Sequence, residues 1–308
     1  MEVNRDRLFE HVQRLATVPR PYGSVELEQA QEYVTRLLQE SGWIVERRNF
    51  DVVNDWGDLN FGETLHGTNL VATHPHGDAS LPRLIVGAHL DSRPETPGAD
   101  DNASAVAALL EIARLLNDAW PESARLNLEL VAFDLEENGM LGGRAHAVAS
   151  RAAEEDVRGM ISLEMLGYCD HARNSQSLPR TLIGLYPDTA DFVAIIGNQN
   201  SSELIESFYQ GGLPVSDLPI QKLQVPENGN SLQATRLSDH SPFWDEGFAA
   251  VMITDTSFLR NPHYHQASDT IDTLDFDFLH LVAEASYLAT KYLMATGLKL
   301  QVLEKDGD

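Results

Sequence analysis

Four short apolar runs, at residues 84–86, 128–133, 160–163 and 249–253, each end in or lead shortly to a residue that can bind a metal or move a proton. Runs of this length read as buried strands, and helical patterns at about 104–118, 142–155 and 275–296 separate or follow them. Strands interleaved with helices indicate an α/β sheet with both faces covered. Ligands of such sheets gather outside the carboxyl ends of the strands. An amphipathic helix precedes the sheet, because Leu27, Ala30, Val34, Leu37 and Leu38 recur at helical spacing and Gly42 follows as a stop. Residues 43 to about 73 suggest strands around the turn-rich Asn54-Asp55-Trp56-Gly57-Asp58. Residues 170–236 are richer in Asn, Ser, Gln, Gly and Pro, yet contain an apolar run at 192–196 and a helical segment near 202–210. They read as long loops of the same domain, so a single domain over 1–308 is expected.

Composition narrows the function classes. With 47 acidic against 22 basic residues the formal net charge is −25, a field that repels nucleic acid and anionic membrane surfaces. No window approaches the roughly 20 apolar residues of a membrane span. Residues 1–7 lack the charged and apolar pattern of a secretory leader, so a cytoplasmic location is expected. The single Cys169 forms no intramolecular disulfide and reads as a buried small hydrophobe.

The chemistry is carried by four constellations. His89 closes the 84–86 run within Gly87-Ala88-His89-Leu90-Asp91-Ser92, and Pro97-Gly98-Ala99-Asp100-Asp101-Asn102 follows before a helical pattern. Imidazole with carboxylate is a ligand set zinc accepts, and a carboxylate has two oxygens with which to bridge two ions. Next, Glu136-Glu137 follow the 128–133 run. Adjacent carboxylates in extended chain point opposite ways, so one can ligate while its neighbour faces the attacking water. Third, Glu164 ends the 160–163 run, where a carboxylate is either paired or bound to metal, because an isolated buried charge is costly. Last, His265 lies in the loop after 249–253, with His263 as its local competitor.

Taken in order, His-Leu-Asp-Ser, Pro-Gly-Ala-Asp-Asp-Asn-Ala-Ser, Glu-Glu-Asn-Gly-Met-Leu-Gly-Gly, Leu-Glu-Met-Leu-Gly-Tyr, Ser238-Asp239-His240 and His265 resemble peptidase family twenty-eight. This is the two-zinc exopeptidase family of bacterial leucyl aminopeptidases and glutamate carboxypeptidase, and the resemblance runs from about residue 25 to 296. It implies a three-layer αβα sandwich with a mixed, mostly parallel sheet of the zinc-exopeptidase type. It also implies two Zn2+ per chain, one held by His89 and Glu164, the other by Glu137 and His265, with Asp101 bridging. Three carboxylates, two zinc ions and a bridging hydroxide sum to zero. Asp91 matches the acid that orients the histidine, Glu136 the general base, and Asp101-Asn102 the family's cis peptide. Glu164 stands where the best-known bacterial members carry aspartate. The tyrosine some members place before Ser-Asp-His is absent here, with Thr235 and Arg236 in that region; Tyr264, adjacent to His265 as in the glutamate carboxypeptidase branch, is the donor the resemblance implies for the oxyanion.

The implied activity is metal-dependent aminopeptidase hydrolysis of a peptide or small amide with a free N-terminus. Rival readings are a single-zinc glutaminyl cyclase, carboxypeptidase or dipeptidase specificity, and a catalytically silent binding protein. Among other candidates, Asp239-His240 reads either as a helix cap with a packed histidine or as a group behind the ligands. His74-Pro75-His76 reads as a surface loop, His11, His146 and His280 as structural or exposed, and Cys169-Asp170-His171 as no nucleophile pair.

Overall fold

The elements form where local capping and periodicity agree. In the computed structural model, which describes residues 2–298, α1 (Arg5–Leu15) and α2 (Val25–Glu40) start at Asn4 and Ser24, whose side chains accept from the amides of Arg7 and Leu27. Residue 1 and residues 299–308, which the single-domain expectation takes in, lie outside the described residues. Gly42 has φ +83°, which suits the residue that turns the chain out of α2. A hairpin follows, β1 (Ile44–Val53) with β2 (Thr64–Thr73), joined by residues 54–63.

The central sheet is then built from β3 (Arg83–His89), β4 (Asn127–Phe133), β5 (Val157–Glu164), β6 (Val193–Asn198), β7 (Ile220–Val225) and β8 (Ala250–Thr254). Its eight strands lie in the order β1-β2-β4-β3-β5-β8-β6-β7. The inner strands β4-β3-β5-β8 run parallel, as do β6 and β7, while β1–β2, β2–β4 and β6–β8 are antiparallel. Each parallel step needs a crossover. Helices α3 (Ala105–Asp118), α4 (Leu141–Ala152), α5 (Ser202–Gly212) and the short α6 (His240–Asp245) lie in the connections between strands, and α7 (Phe276–Thr296) follows the last strand and packs back on the sheet.

Strand alternation splits the core in two. Leu84, Val86, Leu128, Leu130, Ile161, Leu163, Val251 and Ile253 pack against α1, α2, α3, α5 and α7. Their neighbours Ile85, Val131, Phe133, Met160, Ala250 and Met252 pack on the other face with Ala147, Phe243 and Trp244 of α4 and α6. The result is the three-layer α/β fold expected from the sequence. Each fully buried aliphatic contributes about 1.5–3 kcal/mol, so the four parallel strands are the most firmly held, and the site hangs from their ends. Among the described residues no helix is long and apolar enough to cross a membrane.

One strand was not anticipated. The strand β7 is an edge strand whose Ile-Gln-Lys-Leu-Gln-Val is mostly half-exposed, so it has no buried apolar run to read. The helix α1 buries Leu8, His11, Val12 and Leu15, a helical stripe in which a histidine fills a core position.

Candidate metal centre and catalytic cleft

Because β4, β3, β5 and β8 are neighbours and parallel, their carboxyl ends bring residues far apart in sequence side by side. His89 is the last residue of β3 and Glu164 the last of β5; Glu136 and Glu137 follow β4, and His265 lies in the loop after β8. Asp101 sits on the turn that leads into α3, where the Asp101-Asn102 peptide is cis. Leu135, Met165 and His265 adopt positive φ (59°, 46° and 56°), so the backbone bends sharply beside or at three of these positions. Such conformations cost of order 1–3 kcal/mol each and persist only where surrounding structure enforces them.

The two oxygens of Asp101 divide between the two histidines. Oδ1 lies 3.2 Å from His89 Nε2 and Oδ2 lies 3.3 Å from His265 Nε2. Glu164 Oε2 is 3.5 Å from the first imidazole, and Glu137 Oε2 is 3.3 Å from the second. Two trios result, His89-Asp101-Glu164 and Asp101-Glu137-His265, each with donor atoms within 4.8 Å of one another. His89 Nε2 and Glu137 Oε1 are buried without a hydrogen-bond partner. An orphaned imidazole nitrogen among carboxylate oxygens is what a cation between them would satisfy, and nitrogen with carboxylate oxygen is a set zinc accepts. The residues therefore fit two ions.

The electrostatics agree. Burial, with Asp101 alongside, pushes Glu137 up to about 7, and burial with neighbouring carboxylates raises Glu136 well above the ordinary range and Glu164 upward. Burial opposes the charged form of His89, but Glu164 and Glu136 raise it well above the usual value. Clustered buried acids of this kind call for positive charge among them.

The Asp91 carboxylate stands beside the His89 ring and also holds the backbone of the next motif. It accepts the backbone N–H groups of Glu136 (3.1 Å) and Glu137 (3.0 Å), and stands 3.5 Å from His89 Nδ1. The closer partner of that ring nitrogen is Asp91's own backbone carbonyl, at 3.1 Å. Glu136 Oε2 is 3.9 Å from His89 Nε2. Tyr264 stacks on His265 with ring centroids 3.7 Å apart, and burial together with Asp101 and Glu136 raises its phenol. Asp239 is fully buried at the start of α6 against Gly143, where an added Cβ would meet its Oδ1 at 2.5 Å. Burial, with Asp91 and Glu164 near, raises its carboxyl well above the ordinary value. His240 beside it is a packed histidine, edge-on to Trp244 and bonded to the Thr235 carbonyl.

Sequence reasoning missed several supports. Arg20 is buried and donates to the carbonyls of Leu15, Leu90, Pro97 and Gly98, clamping the loop that carries Asp91. Ser238 donates to Glu164 Oε2 at 2.8 Å. Asp269 accepts the amides of Asp100 and Asp101. Arg93, directly after the His-Leu-Asp-Ser motif, lines the cleft with Trp56 and Asp58 of the hairpin loop. Ser238 lies in the Ser-Asp-His motif and Arg93 abuts the His-Leu-Asp-Ser motif, but the partners of all four are set across long sequence separations.

His11, His74, His76, His146 and Cys169 lie away from this cluster. His76 is exposed as a loop residue would be, whereas His74 is buried, stacked on Trp120 and bonded to Asn117. His11 and His146 are buried. Cys169 is half-buried, and burial pushes its thiol up to about 12, which removes the thiolate a nucleophile needs.

The profile described as Peptidase family M28 matches residues 69–290. The chain is 37% identical to the uncharacterised protein YfbL of Escherichia coli K12, over 70% of this chain and 68% of that one. It is 29% identical to a probable leucine aminopeptidase of Trichophyton verrucosum, over 68% of this chain and 53% of that one. The chain thus spans little more than half the length of some of the aminopeptidases it matches. Among solved structures, BSAP, a zinc aminopeptidase from Bacillus subtilis, superposes with a TM-score of 0.73 at 14% identity, covering 96% of this chain and 97% of that one. Porphyromonas gingivalis glutaminyl cyclase gives 0.71 at 20% identity, covering 94% and 99%. At those identities the likeness is one of fold.

Proposed function

This chain belongs to peptidase family M28, and from that premise we propose that it is a two-zinc aminopeptidase that releases the first residue of peptides. The observation that carries the reading is Asp101, whose two oxygens face the two histidines at 3.2 and 3.3 Å and so join two ligand trios into one bridged site. His89, Asp101 and Glu164 would hold one ion, and Asp101, Glu137 and His265 the other. When bound, such ions polarise a carbonyl and acidify water.

The chain's own residues do the rest. Glu136 takes the proton of the attacking water and returns it to the leaving nitrogen; its raised affinity for protons suits both halves of that task. Asp91 fixes the backbone of Glu136 and Glu137 through two N–H bonds. The Tyr264 hydroxyl donates to the oxygen on which negative charge develops, and its raised pKa keeps it a donor throughout. Beside Glu164 opens an apolar pocket walled by Leu178, Leu182, Phe192, Ile196, Leu223 and Met252, which favours an apolar first residue.

Zinc analysis on the purified protein, with turnover of leucyl-p-nitroanilide against N-blocked and N-terminal glutaminyl peptides, tests this. Two equivalents of zinc, release of leucine and a loss of roughly 10²–10⁴-fold in Glu136→Gln are expected. One tight zinc with pyroglutamate formation and no amino-acid release would establish the cyclase reading instead.

A further inference from the structure

We propose that Arg93 recognises the free carboxylate of the residue that follows the scissile bond, which makes dipeptides the favoured substrates. This rests on the exopeptidase reading above and names its substrate class. The cleft has two sides that share Glu164, Leu237 and Ser257 as common wall, the apolar pocket on one and a polar mouth on the other. The mouth is lined by Asp58, Asp101, Glu136, Glu137, Tyr264 and His265 among others, and among the described residues Arg93 is the only lysine or arginine there.

With a substrate's first side chain in the apolar pocket and its scissile bond at Glu136, the following residue falls in the mouth. In a dipeptide that residue's carboxylate carbon is two bonds from the scissile nitrogen, so the charge arrives inside the mouth. In a longer peptide a neutral amide takes its place. A carboxylate entering beside Asp58 and Glu136 is repelled unless a cation receives it, and a guanidinium offers two parallel N–H donors.

Arg93 has the donors to spare. Among the described residues its side chain makes one hydrogen bond, from Nη2 to Asp58 Oδ2 at 2.6 Å. Its Nη1 stands 3.8 Å from Glu137 Oε2, beyond hydrogen-bond range. The Arg93 side chain is 19% exposed, while Asp58 is 72% exposed on the loop between β1 and β2, an exchangeable partner screened by water.

The experiment compares kcat/KM of zinc-loaded protein on leucyl-leucine and leucyl-leucinamide, which differ only in the terminal charge. The free carboxylate is expected to win by roughly 10- to 100-fold, the range of a charge-assisted bidentate pair. Arg93→Met should collapse the ratio to within about 3-fold, and Arg93→Lys, lacking the fork, should restore part of it. Calorimetric binding of the same two compounds to Glu136→Gln, with and without Arg93→Met, repeats the comparison without turnover, and melting curves and zinc content show that each variant folds and loads. A wild-type ratio near one, or a ratio that survives Arg93→Met, overturns the proposal. If neither leucyl-p-nitroanilide nor any dipeptide is cleaved, the exopeptidase reading fails on its own, and the calorimetry still judges Arg93.

Discussion

Replacing Asp91 by asparagine separates the positioning of the base from the holding of metal. The Asp91 carboxylate spends its two oxygens on the amides of Glu136 and Glu137, at 3.1 and 3.0 Å, in a fully buried position. Asparagine keeps the shape but presents one oxygen and one NH2, so one buried N–H loses its acceptor and the other keeps only a neutral bond. A hydrogen bond to a charged group is worth about 1.5–3 kcal/mol and a neutral one about 1, so the two losses together come to about 3 kcal/mol. Felt at the reacting groups, that is roughly 100-fold in kcat/KM. His89 fares better, because its Nδ1 is held at 3.1 Å by the Asp91 backbone carbonyl, which the substitution leaves in place. Zinc affinity should therefore fall by less than about 10-fold, the low end for removing a group behind a ligand. Chelator-competition titrations and steady-state kinetics at saturating zinc measure the two effects separately. A variant whose zinc affinity collapses while kcat/KM of the loaded form stays within about 3-fold of wild type would refute the assignment, because Asp91 would then act through the histidine.

Two further outcomes concern stability. Arg20→Met strips the donor from four carbonyls that Arg20 now satisfies, about 1 kcal/mol net for each. The total of about 4 kcal/mol corresponds to a drop of roughly 10 °C in Tm, and calorimetric melting that shifts by less than about 2 °C would show that the clamp carries little. His11 is buried, and that burial, with Arg7 near, lowers its pKa to about 4, so the unfolded chain takes the proton first. Its contribution is full above pH 6.5 and is lost as pH falls toward 4, about 2 kcal/mol by pH 5. Glutamine at this position keeps a partner for the Tyr33 hydroxyl without titrating, so the gap between wild type and His11→Gln in urea unfolding should shrink by about that amount from pH 7.5 to 5. An unchanged gap contradicts the assigned cause.

Much of the sheet was legible because its signals are local. A run such as 128–133 alternates across two cores, and the residues that follow it carry chemistry whatever their neighbours are. The five proposed ligands could be named from motif order, since each stands in or beside a strand end or turn with its own short pattern. The strand β7 was opaque because an edge strand pairs on one side only and need not be apolar.

What the sequence by itself determined is the set of groups: two histidines, three clustered carboxylates, a candidate base and the strands that present them. Tertiary structure decided their partners. It spends Asp91 on amides 45 and 46 residues away, lends Ser238 to Glu164 across 74, and clamps the loop from Arg20 across 70 to 78. Among the described residues it also sets Arg93 as the single guanidinium in an acid-lined mouth. The physical reason is range. Periodicity, capping and turn chemistry act within a few residues, whereas the donor that meets a buried oxygen is fixed by strand order and register, which exist only once the sheet has formed.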